Sequence, residues 1–392
     1  MTRVLRFVVP AQAERGGDDV NAVYHAGLDR HWPAGRRAAG ALLRSAHAVA
    51  AAREIGRRED LRAADLSTCW RWGLLPRELA AARRDLGGQP LEAVVPAHVA
   101  KGVYQLLNPG AWPLGRNLLL DKARFGRVMR EAGLPVPAGF GRGECVRACA
   151  DADALIWKPG YLSQGRGIRK VERRSCGAWD ADGGLEALAA GRLRPGDVVQ
   201  RFLSPHPAMA ERSPGALPTL RIITCLDDEG APEVAVAVLR MGAGTGFLDN
   251  FHGGGLAASI DLRSGRTVRA ATMRAGMRLA PVDRHPATGA ALAGFAVPYL
   301  RDVLEIARAA HRAVAAEGFD AVGWDVGLAE EGPVLIEGNW SPGTPVSQYL
   351  AGEAIGMSRL GALLAARLRR VPAARWRATA ALASSPRRAA EA

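Results

Sequence analysis

Lysine is almost missing from this sequence. Only Lys101, Lys122, Lys158 and Lys170 occur, leaving 48 of the 52 basic residues as arginine. A chain that uses arginine for nearly every positive charge marks its few lysines as candidates for sites that want a compact ammonium rather than a planar fork. No run of apolar residues approaches the roughly 18–20 needed to span a bilayer. The N-terminal stretch MTRVLRFVVPAQAERGG holds an apolar patch too brief for a signal-peptide core, so a cytoplasmic location is expected. Five cysteines occur without a C-x-x-C pair. Cys145 and Cys149 could share a helix face, but no histidine or second pair accompanies them, which argues for free thiols over zinc. Aromatic residues make up 6% of the chain, and none interleave with basic clusters in a nucleic-acid-binding pattern. The net charge of +13 is spread through scattered Arg-Arg pairs and fits solvated surface or anionic small substrates. A Walker loop is missing too, as is any Ser/His/Asp or Cys/His nucleophile arrangement.

At 392 residues and 48% hydrophobic content, the chain can form two or three domains with real cores. Residues 1–100 read as a helical N-terminal segment, with apolar positions three and four apart in RRAAGALLRSAHAVAAAREIGRRE and LPRELAAARRDL. The stretch 117–133 predicts a helix with Asp121 as N-cap and Gly133 as its end. ALIWKPG predicts a strand entering a glycine-rich loop, followed by a second strand, IRKVER. DVVQRFL, TLRIITCL and PEVAVAVLRMG read as further strands, and VPYLRDVLEIARAAHRAVAAEG as an amphipathic helix closed by Gly318. Beyond about 360 the Ala/Arg/Ser/Pro-rich stretch shows no sustained apolar face, which predicts a frayed helix and then disorder.

Chemistry concentrates in a few places. GWDVGLAEEGPVLIEGNW predicts a hairpin with a loop at 329–333, in which Asp325 lies opposite Glu337. Strand alternation then puts Glu337 and Asn339 on one face. Two carboxylates and an amide oxygen so arranged suit a hard divalent cation bridging phosphates. A solvated sheet face with chance acids is the alternative, and the apolar flanks with Trp324 and Trp340 count against it. In KPGYLSQGRGI, Lys158 leaves a strand while Gly160, Gly165 and Gly167 would let backbone N–H groups approach a phosphate. Arg221 stands alone in an apolar strand and needs a partner, either a structural carboxylate or a ligand phosphate. Asp249, Asn250, His252 and Gly253–Gly255 occupy a polar glycine-rich loop suited to binding. There His252 reads as a general base or as a structural turn histidine.

Taken in order, LLLDK, IWKPGYLSQGRGI, VVQRFL…HP, TLRIIT, LDNFHGGG and GWDVGL…VLIEGNW resemble the ATP-grasp superfamily over about residues 105–352. The branch resembled is sugar-transfer-associated ATP-grasp, related to glutamate-ligase-like proteins. This resemblance implies an α+β fold in which two subdomains, 101–203 and 204–355, clasp ATP, with 1–100 as the helical N-terminal segment and 356–392 as a partly disordered tail. It implies that Lys122 and Lys158 contact the nucleotide phosphates and that the glycine-rich segment with Ser163, Gln164, Gly165 and Gly167 closes over them. Gln200, Arg201, Phe202 and Leu203 would form the adenine hinge, where the family often has Glu in place of Gln200. Arg221 would face the transferred phosphoryl group, and Asp325, Glu337 and Asn339 would hold Mg²⁺. Asp249, Asn250, His252 and Gly254 fall to the substrate loop. The activity so implied is ATP- and Mg²⁺-dependent joining of a small-molecule carboxylate to an amine or thiol, through an acyl phosphate, in surface-polysaccharide or peptide-like biosynthesis. Phosphoryl transfer to a hydroxyl and a non-catalytic nucleotide-binding scaffold are the alternatives. The acidic hairpin is further expected to lack charge compensation until Mg²⁺ arrives with ATP.

Overall fold

Near-continuous apolar runs in the second half of the chain generate a broad antiparallel sheet, and short strands around the glycine-rich loop generate a second. A computed structural model describes residues 18–32, 53–54, 61–160, 167–173, 176, 179, 185, 188–244, 246, 251, 254–274, 278–343 and 345–382. Its helices are α1 (Val20–His31), α2 (Asp65–Trp72), α3 (Pro76–Asp85), α4 (Ala97–Leu107), α5 (Lys122–Glu131), α6 (Leu300–Ala315), α7 (Arg359–Arg369) and α8 (Ala373–Leu382). The small sheet contains β1 (Gly139–Gly141), β2 (Ala154–Lys158), β3 (Arg169–Glu172) and β4 (Val198–Arg201), in the order β1-β4-β2-β3. The large sheet contains β5 (Thr219–Leu226), β6 (Pro232–Met241), β7 (Leu256–Asp261), β8 (Arg266–Arg274), β9 (Arg278–Pro281), β10 (Ala321–Ala329) and β11 (Gly332–Asn339). Its order is β11-β10-β5-β6-β7-β8-β9.

Both faces of the large sheet are covered. Leu220, Ile222, Val322, Trp324, Val326 and Leu328 pack against Val303, Ala307, Ala310 and Val314 of α6. The same core takes in Leu118, Leu119, Phe125 and Met129, so the segment around α5 is built onto the large sheet rather than the small one. On the opposite face, Ile223, Cys225 and Ala321 meet apolar residues of α1, α4 and α7. The helix over α5 starts as its sequence predicts, because the Asp121 carboxylate accepts the Arg124 N–H at 3.0 Å. It stops before Gly133, whose φ of 73° is left-handed.

Two sequence expectations change here. The C-terminal stretch is not frayed from 360. Leu360, Leu363, Leu364 and Leu368 lie along one face of α7 and are buried. Trp376 of α8 is also buried, beside Tyr24 of α1. An apolar stripe at three- and four-residue spacing overrides the Ala/Arg-rich composition; residues 383–392 lie outside those described. Leu256–Asp261, which follows the Gly253–Gly255 stretch read from the sequence as a binding loop, is an interior strand of the large sheet.

A buried polar chain ties α6 to the sheet. The Trp324 indole N–H donates to Thr224 Oγ1 at 2.8 Å, and the same hydroxyl lies 2.7 Å from His311 Nδ1. His311 Nε2 lies 3.0 Å from the Phe319 carbonyl. Burial pushes the His311 imidazole down from 6.5 to about 4. Between those two values the unfolded chain binds a proton that the folded one does not, so stability falls on acidification from pH 6.5 to about 4 and levels below that. Denaturant unfolding of the wild type and of His311→Gln across this window checks it. The wild type should lose roughly 3 kcal/mol more than the variant as pH drops.

Candidate active site

The hairpin at the edge of the large sheet has the expected register at its polar end, where Asp325 pairs with Glu337 and Gly323 with Asn339. The turn is tighter than the predicted loop, because Ala329 pairs directly with Gly332. A bulge between Asp325 and Val326 absorbs the one-residue difference, so Val326 pairs with Leu335. Asp325 and Glu337 therefore share a face, while Trp324 and Leu335 point into the core. Gly338 beside Trp324 has no room for a side chain, since a Cβ there would lie 2.8 Å from Leu119 and 3.0 Å from the indole.

Arg221 has a carboxylate partner. Its Nε and Nη2 donate to the two oxygens of Asp325 at 2.5 and 2.9 Å. The register between β5 and β10, which sets Arg221 opposite Asp325, makes the bidentate pair. Arg240 of β6 reaches across to the same carboxylate, Nη1 to Oδ2, at 3.0 Å. Asp325 itself is only 4% exposed. Burial would raise its carboxyl, but the two guanidinium charges override that and hold it well below the usual carboxylate range. Burial and the Asp325 charge push Glu337 the other way, upward. Asn339 Nδ2 lies 3.5 Å from Glu337 Oε1.

This corrects one expectation. The acidic hairpin is not short of positive charge, because Arg221 and Arg240 already compensate it. Arg240 was not singled out from the sequence, since it closes a strand that reads as apolar. Its clue was position: the paired strands β5 and β6 bring it beside Arg221.

Lys158 comes from the small sheet and Lys122 from α5, which packs on the large sheet. Lys158 ends β2, and Lys122 at the first turn of α5 donates from Nζ to the Gly160 carbonyl at 3.1 Å. Burial lowers Lys158 to about 8, opposed by the Glu337 charge and reinforced by Lys122. Burial also lowers Lys122, against the pull of Glu337 and Asp197. The two lysines thus share the electrostatic field of Glu337 with Asp325 and Arg221.

Asp197, another residue the sequence did not flag, fixes the entrance to the glycine-rich loop. Its carboxylate accepts the Gly160 N–H at 2.9 Å and, at 3.2 Å, both the Trp157 indole N–H and the Arg194 N–H. Gly160 is held so close that a Cβ would sit 2.4 Å from the Gly196 carbonyl carbon. Gly160→Ala should therefore break this clasp, costing about 1–3 kcal/mol in denaturant unfolding and displacing Lys158. Gly167 has a φ of 72°, as a glycine turn requires. Ser163, Gln164 and Gly165 lie outside the described residues, as do Asp249, Asn250 and His252. Gly254 is described, with a φ of 98° two residues before β7.

Gln200 and Arg201 end β4, and the chain then crosses to the large sheet. There the His206 N–H donates to the Leu328 carbonyl at 2.9 Å. The N–H groups of Arg201 and Phe202 donate to the carbonyls of Ala138 and Ala154 at 2.9 and 3.0 Å. The Arg201 guanidinium pairs with exposed Asp151 at 2.5 Å, and the Lys170 ammonium stands 4.8 Å from the Phe202 ring centroid. Gln200 Oε1 is buried with no hydrogen-bond partner among the described residues. Leu203 follows, partly buried.

A small sheet with a glycine-rich loop, a crossing segment and an antiparallel sheet carrying an acidic hairpin are the parts in hand. Residues 183–360 match the family model described as sugar-transfer associated ATP-grasp. That segment belongs to the ATP-grasp superfamily. The match spans just under half of the chain and contains Gln200–Leu203, Arg221, Arg240, Asp325, Glu337 and Asn339. Lys122 and Lys158 precede it. With its two antiparallel sheets and N-terminal helices, the architecture is α+β, and its segment 183–360 carries the ATP-grasp match.

Three solved structures are similar. The ATP-grasp ligase PsnB, complexed with a minimal precursor, is 18% identical over 66% of this chain and 61% of its own, with a TM-score of 0.36. Biotin carboxylase from Campylobacter jejuni is 15% identical over 64% of this chain and 47% of its own, at 0.38. D-alanine–D-alanine ligase from Bacillus anthracis, complexed with ATP, is 12% identical over 68% of this chain and 69% of its own, at 0.38. The chain thus spans about half to two thirds of the length of these structures. No curated protein matches. No helix among the described residues is long and apolar enough to cross a membrane.

Proposed function

We propose that the protein is an ATP- and Mg²⁺-dependent ligase that activates a carboxylate as its acyl phosphate for attack by an amine or thiol. The observation that carries this reading is the grouping of four cations around two acids. Lys158 comes from the small sheet, Lys122 from α5, and Arg221 and Arg240 from the large sheet, with the charges of Glu337 and Asp325 acting on this group.

The residues fit a nucleotide and a divalent cation. Burying Lys158 beside Lys122 costs free energy that a phosphate anion would recover. The carboxylates of Asp325 and Glu337 and the Asn339 amide oxygen form the hard-oxygen set that Mg²⁺ prefers. The orphaned Gln200 Oε1 offers an acceptor for an amino group at the crossing segment. The Arg201 and Phe202 N–H groups are already bonded within the small sheet, which leaves carbonyls of this segment and the Leu203 amide for an adenine edge.

ATP with Mg²⁺ supplies the phosphoryl group and a charge that balances it. The chain's own groups do the positioning. Lys122 and Lys158 orient the phosphates, and Arg221 faces the transferring group, whose negative charge is spread over its oxygens. A substrate carboxylate oxygen forms the new bond to the γ-phosphorus as the β,γ-bridging bond breaks and ADP leaves. The amine then attacks the acyl carbon, loses a proton to solvent, and expels phosphate. Such chemistry needs cations and exclusion of water rather than a nucleophilic side chain.

The description of the matched family as sugar-transfer associated favours an acid or amine carried on a saccharide-related molecule. Incubation with ATP, Mg²⁺, hydroxylamine and candidate acids tests the reading. Hydroxamate formed together with ADP supports it. A phosphorylated alcohol without hydroxamate replaces it with a phosphotransferase.

A further inference from the structure

The two lysines of the site are held in different ways. Lys158 rides on the ladder between β2 and β4, where it pairs with Val198 and its neighbour Trp157 pairs with Val199. Lys122 opens α5, whose Phe125 and Met129 belong to the core of the large sheet. A flexible four-carbon stem does not let a helix alone place its ammonium. The Lys122 Nζ donates to the Gly160 carbonyl at 3.1 Å, which ties it to the end of the small sheet. An ammonium carries three donors, so one bond can hold it while another goes to a phosphate.

Gly160 is held in turn by Asp197. The Asp197 Oδ1 accepts the Gly160 N–H at 2.9 Å, while Oδ2 accepts the Arg194 N–H and the Trp157 indole N–H at 3.2 Å. The bond to Arg194 caps Asp197's own turn, in which its N–H returns to the Arg194 carbonyl at 3.0 Å. A turn cap would stop there. The shorter bond instead reaches 37 residues back, to a glycine packed against Gly196 with no room for a side chain. Gly160 therefore donates its N–H to Asp197 and accepts Lys122 on its carbonyl. Asp197 is only 6% exposed, and its charge opposes the burial that lowers the Lys122 ammonium.

We propose that Asp197 is a positioning residue for phosphate binding: by fixing Gly160, it holds the carbonyl that seats the Lys122 ammonium. This rests on the reading that Lys122 contacts nucleotide phosphates, and it adds a residue that acts at second hand. Lys158 keeps its place through the β2–β4 ladder whether or not Asp197 is there. Removing Asp197 should therefore matter to nucleotide binding only while Lys122 is present to be seated.

The test is a double-mutant cycle on the full chain, with a non-hydrolysable ATP analogue and Mg²⁺ titrated by calorimetry. The four proteins are the wild type, Asp197→Asn, Lys122→Met and the double variant. Asp197→Asn should weaken binding about tenfold in the wild type but under about twofold in the Lys122→Met background, a coupling in the usual range for residues sharing a partner. A merely structural role lowers the denaturant midpoint without producing that coupling. Equal losses in both backgrounds, or no loss in the wild type, make Asp197 a turn cap and overturn the proposal. Should Asp197→Asn fail to fold, hydrogen exchange at the Gly160 amide decides. That amide should exchange about tenfold faster in Lys122→Met than in the wild type, because both bonds hold one residue. Equal exchange rates overturn the proposal. The exchange measurement needs no nucleotide and the cycle reads no turnover, so a negative hydroxamate assay alongside this coupling would sink the ligase and leave the role of Asp197 standing.

Discussion

Asp325→Asn should unfold about 3–5 kcal/mol more easily than the wild type, the usual cost of breaking a buried ion pair from one side, and should lose turnover altogether. The substitution is isosteric, so the loss is electrostatic. Arg221 and Arg240 would keep their charges without the Asp325 carboxylate, and the new amide N–H₂ would face guanidinium N–H groups where an acceptor stood. Glu337→Gln is the informative companion. Burial and the Asp325 charge already drive the Glu337 carboxyl toward its neutral form, so an amide there should cost under about 1 kcal/mol. Turnover should vanish all the same, because the amide no longer supplies an anionic cation ligand. Denaturant midpoints and ADP release, measured side by side on the two variants, separate the ion triad from the cation site. Equal stability of Asp325→Asn and the wild type would contradict the triad.

Lys158→Met should do the reverse to stability. Burial lowers the ammonium from 10.5 to about 8, so at pH 7 the folded protein carries a charge it would rather lose. Removing that charge should raise the denaturant midpoint. Between pH 8 and 10.5 the unfolded chain holds a proton that the folded one has released, so the wild type gains stability with rising pH. The advantage of the variant should be greatest below pH 8 and fade toward 10.5. A lysine kept for its fold would show the opposite sign. Function should suffer meanwhile, since losing a charge-assisted bond to a phosphate weakens binding by roughly 10- to 150-fold.

The sequence made the elements of the large sheet near the hairpin legible, and the reasons are specific. TLRIITCL and GWDVGL are runs of small and β-branched residues interrupted by single charges, and those charges mark where the two strands pair. The Asp325–Glu337 pairing followed from alternation, but the bulge beside it did not, because nothing in VLIEGN distinguishes Ile336 as the extra residue. Arg221 was visible as a charge needing a partner. Choosing between a carboxylate and a phosphate required strand order, which local pattern does not carry. Arg240 and Asp197 were hidden for the same reason. Each acts across the chain, Arg240 over two strands to Asp325 and Asp197 onto Gly160 and Trp157. In the tail, composition masked a real apolar face on α7, and only packing against α1 and α4 gives it a purpose.

The most direct test is equilibrium binding of a non-hydrolysable ATP analogue with Mg²⁺ to the wild type, Lys122→Met and Lys158→Met, by calorimetry. One molecule should bind per chain, with a loss of at least about tenfold in affinity when either lysine is replaced. An analogue that does not bind, or that binds all three proteins equally well, would contradict it.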